Sequence, residues 1–258
     1  MLSYETFFSE WELFLLILMR IATFVYVAPF FNTANTPRNV KIGFAFFVSV
    51  IAFELYPDIT YEYVGTFGYA GLVLKEAIVG LLLGAICNFT MQIIHFAGRF
   101  IDMDIGLSMA SVMDPTNNTQ NGIVGSIYYY LVLLILIASG MHQYLIAAIV
   151  ETFRHIPVGQ MTVNLSLYNT VIDFMGQFLI IGFRISLPIF ACMLLLNAVL
   201  AIMSKVAPHM NMFVVGMQIK IMGGVSVLMF VIYMLPSVAN YLYQLIQRML
   251  FEIVQGLM

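Results

Sequence analysis

The side chains able to do chemistry are few in this 258-residue chain, and they are scattered. His95, His142, His155 and His209 show no metal-ligand spacing, and neither a C-x-x-C pair nor an H-E-x-x-H run is present. Cys87 and Cys192 lie singly inside apolar runs, where a thiol packs as a small hydrophobe; pairing them would need a proximity that sequence does not give. No nucleophile elbow, phosphate-cradling glycine loop or paired carboxylates on one helix face occurs. A proton relay needs several ionisable groups within the apolar segments, and only Arg20, His95, His142 and Arg184 qualify. The pattern argues against an enzyme and implies no cofactor.

The elements that carry these residues are apolar. Hydrophobic residues make up 62% of the chain and charged residues 9%, against about one quarter charged in soluble domains. Lipid or protein must cover such a surface, so the expected fold is an all-α integral membrane protein. The net charge of −3 and the absence of a basic run point away from nucleic acid. Six hydrophobic helices in hairpins are expected, at about 12–31, 42–56, 77–98, 127–150, 174–203 and 221–245. Acids, not basic residues, precede the first run, so it reads as a retained helix rather than a cleaved signal. Residues 155–173 read as a loop with a short interfacial helix. Basic residues gather in the odd-numbered loops (Arg38, Lys41, Arg99, Lys205, Lys220), which places those loops on the cytoplasmic side and both termini outside.

Several residues do not suit a passive anchor. Arg20 sits about 15 Å of helix from either end of the first run, too deep to snorkel fully. An arginine at that depth costs ~3 kcal/mol on insertion scales. Its readings are a structural salt bridge inside a bundle, a water-lined path, or a helix away from the bilayer midplane. Arg184 repeats the oddity in the fifth run. Glu76, beside Lys75, reads as part of an interfacial pair. Gly80 and Gly84 form a G-x-x-x-G that admits a neighbouring helix closely. The 19 methionines fill packing gaps or form an adaptable partner surface. Residues 98–126 are the least apolar stretch, bounded by Gly98, Gly106, Gly122 and Gly125, and are long for a plain connector.

The ordered landmarks resemble the FliR family of flagellar export-gate proteins and their virulence-secretion relatives. The resemblance rests on Arg20, Pro29, Pro37 and Arg38; on Glu76-x3-Gly80-x3-Gly84; and on Ala97-Gly98, Gly106-x-Ser108-x-Ala110 and Asp114-Pro115. Gly140-x-His142, Phe153, Pro157, Gly159, Leu187-Pro188 and Ala207-Pro208-x-x-Asn211-x-Phe213 follow in order. His209 stands where the family more often has Gln.

The resemblance implies a subunit of the type III secretion export gate in the bacterial inner membrane, at the flagellar basal body. It implies FliP-like and FliQ-like partners, an FlhB-like switch protein and unfolded flagellar substrates. Residues 1–173 would be a P-like part containing the central loop 98–126, and residues 174–258 a Q-like hairpin. Gly106, Ser108, Ala110, Ser111, Asp114, Pro115, Asn117 and Asn118 would belong to a plug that fills the channel at rest. Gly80, Gly84, Arg20, Arg184, Pro208 and Asn211 would serve helix packing and assembly. The alternative class is a secondary transporter or small-solute channel, which Pro29, Pro188 and Pro236 would suit as breaks in discontinuous helices.

Overall fold

The computed structural model describes residues 4–33, 36–57, 59, 61–108, 122–207, 209 and 211–258. The described residues form helices and no strand: α1 (Tyr4–Val27), α2 (Arg38–Leu55), α3 (Gly65–Ile105), α4 (Ile123–Ala138), α5 (Met141–His155), α6 (Leu165–Val206), α7 (Met212–Val231), a 3-10 turn (Ile232–Met234) and α8 (Leu235–Leu257). The all-α membrane class holds, and the helix count and boundaries differ from six runs. Among the described residues three stretches are long and apolar enough to cross a membrane: α3, α6, and α7 with α8. The α4–α5 pair would be a fourth if taken as one broken span.

Each boundary has a local cause. α1 stops at Val27, two residues before Pro29, because the residue before a proline is pushed out of the helical region. α2 starts directly after Pro37 and ends before Pro57. The expected run over 127–150 is broken at Gly140, whose φ of +78° suits a residue with no Cβ. α3 runs past the expected end near 98 because Ile94, Ala97, Ile101 and Ile105 repeat at helical spacing and are all buried. It closes at Gly106, φ +91°, whose amide donates to the Asp102 and Met103 carbonyls. Residues 98–105 and 123–126, expected in a loop, are therefore helical. α6 absorbs the expected interfacial segment from Leu165 onward and keeps Pro188 inside it. Pro236, which has no amide hydrogen, follows the 3-10 turn that separates α7 from α8.

The chain forms two compact units: Met1–Thr90, Ser139–Phe174 and Tyr243–Met258 in the first, and Met91–Ala138 and Met175–Leu242 in the second. One break between the units falls after Phe174, beside the expected border at residue 173, while residues 91–138 group with 175–242 and residues 243–258 with the first unit. In the first unit α1 packs on α2, with Phe14 meeting Phe46 and Phe53 edge-on at 5.5 and 6.1 Å. Leu16, Ile17, Ile21 and Phe24 are fully or nearly fully buried there. In the second unit Phe96 meets Phe178 and Phe183 at 5.3 and 5.8 Å, and Gly182 leaves room for the Phe96 ring.

Candidate functional site

Two constellations combine sequence oddity with buried polar chemistry. The first is in the first unit, around Arg20, which has no exposed surface. Its Nε donates to Glu76 Oε2 at 2.6 Å, and Glu76 is equally buried. Its Nη1 donates to Thr152 Oγ1 at 3.2 Å and to the Ile156 carbonyl at 3.0 Å. Its guanidinium lies 4.2 Å from the centre of the Phe153 ring, while Nη2 has no hydrogen-bond partner. The second carboxylate oxygen, Glu76 Oε1, accepts the Gly159 amide at 2.8 Å. One ion pair therefore joins α1, α3, α5 and the turn after α5. The salt-bridge reading of Arg20 is the one the structure shows.

Glu76 corrects an expectation. It does not form an interfacial pair with Lys75, whose Nζ instead donates to the Gly159 carbonyl at 3.0 Å. An acid one helical turn before Gly80, in a helix otherwise lacking charge for many residues, was the signal for a buried partner. Gly80 and Gly84 complete the node, since both face α1 of this same chain. A Cβ at Gly80 would overlap the Arg20 carbonyl and Thr23 Oγ1; one at Gly84 would lie 3.0 Å from the Phe24 carbonyl. The glycines let α1 come close enough for the Arg20 side chain to reach Glu76.

A polar cluster near the start of α1 went unread in the sequence. Glu12 accepts Tyr63 Oη on both oxygens at 2.8 Å, Tyr61 Oη at 3.3 Å, and its own carbonyl takes Tyr69 Oη at 3.1 Å. Burial and then the Glu12 carboxylate push the Tyr61 phenol up; for Tyr63 the hydrogen bond to Glu12 is the main cause. This cluster ties the connector after α2 to α1.

The second constellation is in the second unit, at the two ends of the central segment. α3 and α4 touch backbone to backbone: a Cβ at Gly98 would overlap the Gly125 Cα and N. His95 stacks on Tyr129 with ring centres 4.4 Å apart. Buried Asp102, in the last turn of α3, accepts the Val124 amide on Oδ1 at 3.2 Å. Its Oδ2 has no partner and lies where a Gly122 side chain would be. Gly106 and Ser108 line a cavity of about 420 Å³ with Asp104, Asn197, Gly216 and Lys220. Ala110, Ser111, Asp114, Pro115, Asn117 and Asn118 lie outside the described residues, as does Pro208.

The remaining expected residues are on α6 and α7. Arg184 is exposed midway along α6, and none of the described residues pairs with it. It lines a largely apolar cavity of about 230 Å³ with Tyr128, Pro188, Met234, Ser237 and Tyr241. Asn211 precedes α7 and caps it through its carbonyl, which accepts the Val214 amide at 3.1 Å, rather than through its side chain. No group of three His, Cys, Asp or Glu able to hold a metal occurs among the described residues.

Neither constellation holds a nucleophile, a base beside one, or a ligand cradle. Both join helices. Comparison with known proteins agrees with that character. Residues 11–246 match the family described as bacterial export proteins, family 1. The flagellar biosynthetic protein FliR of Bacillus subtilis is 35% identical over 228 residues, covering 86% of this chain and 85% of that protein. FliR of Escherichia coli is 25% identical over 255 residues, 98% of this chain and 97% of its own length. FliR of Aquifex aeolicus is 26% identical over 216 residues, with 83% of each chain covered. A match over nearly the whole length, with an export family rather than an enzyme family, makes this chain a member of the bacterial export proteins, family 1, within the FliR family of flagellar biosynthetic proteins.

Proposed function

We propose that this chain is a subunit of the flagellar type III export gate, building with FliP-like and FliQ-like membrane proteins the conduit for unfolded flagellar proteins. An FlhB-like switch protein surrounds that core, and the assembly belongs to the bacterial inner membrane at the basal body. In this reading residues 1–173 are the P-like part and residues 174–258 the Q-like hairpin.

The observation that carries the reading is the length and exposure of α6. It has 42 residues, and only 17% of its most apolar stretch is buried within the chain. At 1.5 Å per residue it is about 63 Å long, roughly twice the ~30 Å hydrocarbon core. An ordinary tilt of ~20° shortens that by less than a tenth. Lipid therefore covers about half of the helix, and other protein must cover the rest. A solitary transporter has no such requirement.

A conduit wide enough for an extended chain would also pass ions, and each charge crossing 100 mV releases ~2.3 kcal/mol. The segment 106–122 is the resting seal in this reading. Ser108, Ala110 and Ser111 are small, Asp114-Pro115 favours a turn, and Asn117 and Asn118 hydrogen-bond in a wet lumen without adding charge. Arg184 serves assembly from its exposed place on α6 and Asn211 from the start of α7, and Pro208 is assigned the same role from the sequence. Arg20, Gly80 and Gly84 serve it by fixing the frame that partners meet.

The test is extraction of the tagged chain with and without its P-like and Q-like neighbours. A stable multi-subunit particle is expected only with them. A long-lived monodisperse monomer with full helical signal would overturn the reading. Deleting 110–118 within the assembled particle should raise membrane conductance; an assembled particle as tight as the parent would remove the seal while leaving the gate.

A further inference from the structure

The helix α4 begins without a cap of its own. The position before Ile123 is Gly122, which has no side-chain oxygen to accept the first free amides. Asp102, twenty residues earlier and on another helix, supplies it. Its Oδ1 accepts the Val124 amide, the donor a capping side chain at Gly122 would itself satisfy. Its Oδ2 occupies the volume of the side chain Gly122 lacks. The same residue closes the other end, because the Asp102 carbonyl accepts the Gly106 amide at 3.1 Å where α3 terminates. One turn deeper, Gly98 and Gly125 bring the two backbones into contact.

From these contacts we infer that Asp102 is a positioning residue that clasps the two ends of the segment 106–122 to each other, and that Gly122 is glycine to admit its carboxylate. An ordinary cap at position 122 would stabilise α4 equally well yet add no tie to α3 beyond the Gly98–Gly125 contact. Borrowing the cap from α3 makes helix capping and closure of the segment's base one interaction. The effect on tightness rests on the reading of 106–122 as the seal; the clasp itself does not.

A substitution pair separates capping from clasping. Asp102→Ala removes the acceptor, and Gly122→Ala displaces the carboxylate from the opposite side. The double variant Asp102→Ala with Gly122→Asp gives α4 its own cap while removing the side-chain tie to α3. All three are made in the complex with its membrane partners, beside the parent and the 110–118 deletion. Hydrogen exchange of the first turn of α4 should accelerate roughly tenfold in both single variants, because the Val124 amide loses its buried acceptor in one and has it displaced in the other. It should return to the parent rate in the double variant. Ion conductance should rise in the single variants and stay raised in the double variant.

A double variant as tight as the parent would reduce Asp102 to a cap and overturn the clasp. Unchanged exchange in Asp102→Ala would overturn it as well. If the 110–118 deletion is as tight as the parent, the sealing role fails. Exchange of the parent and Asp102→Ala then still decides whether Asp102 holds α4, and a rise in cleavage at the 106–122 ends by added protease in the double variant decides whether it ties them. Unchanged cleavage there overturns the clasp.

Discussion

Arg20 and Arg184 each place a guanidinium within an apolar helix, and of the two only Arg20 finds partners among the described residues. Around Arg20 the first unit provides a carboxylate, a hydroxyl, a carbonyl and an aromatic face, all from this polypeptide. Around Arg184 the second unit provides a cavity lined mostly by apolar side chains, and no carboxylate among the described residues. The contrast separates a charge satisfied within the described residues from one that is not. A charge with its partners built in is a framework element. In the proposed function, a charge exposed without them, on a helix about twice the thickness of the hydrocarbon core, is the one left for another subunit.

The largest expected effect tests the complete side of that contrast. Arg20→Leu leaves Glu76 buried without its cation, which costs about 3–5 kcal/mol. The chain should be lost from membranes at its normal growth temperature, as read by its steady-state level. Replacing both, Arg20→Met with Glu76→Leu, should restore much of that level, because no charge is left stranded. Equal loss in the single and double variants would mean that the node does more than satisfy its own charges.

Next in size is the approach of α1 to α3. Gly80→Ala puts a methyl against backbone that cannot move aside, whereas at Gly84 a methyl meets the Phe24 carbonyl at 3.0 Å. Overpacking of this kind costs about 1–3 kcal/mol. The Tm of the purified complex should therefore fall more for Gly80→Ala than for Gly84→Ala. The reverse order would remove the glycines from the node.

Arg184 tests the incomplete side. Arg184→Leu should leave the level of the chain near normal and reduce the partners that co-purify with it. Unchanged partner yield would place Arg184 against lipid or water rather than protein. The smallest effect is expected at the surface: Tyr63→Phe removes the hydroxyl from Glu12 and should leave the Tm of the complex unchanged within error.

The membrane class and the all-α fold were legible in composition and in uncharged runs such as 77–98. The family was legible in the order of Arg20, Glu76, Gly80 and the landmarks after them. Hydropathy alone places the ends of α3 and α6 too early, near 98 and 203 against Ile105 and Val206. Residues 99–105 carry Arg99, Asp102 and Asp104, so they look like loop; their apolar residues Ile101 and Ile105 nonetheless continue the buried face of α3. Glu76 and Asp102 escaped for a shared reason. Each acts on a residue far away in sequence, Arg20 or Val124, and pattern reading along the chain weighs neighbours. The reach of one side chain across a helix pair is a property of the fold.

The meeting of Gly98 with Gly125 also bears on how this sequence can change length. Two backbones in contact fix a register as a zipper tooth does, since shifting either helix by one residue would bring Arg99 or Ser126 to a place with no room for a side chain. Insertions and deletions between Ser108 and Asn121 leave that register untouched, because they fall outside both pinned ends. A single residue inserted between Gly98 and Asp102 would rotate the carboxylate by about 100° away from Val124. Variation in length among related chains should therefore concentrate between positions 108 and 121 and stop abruptly at both edges.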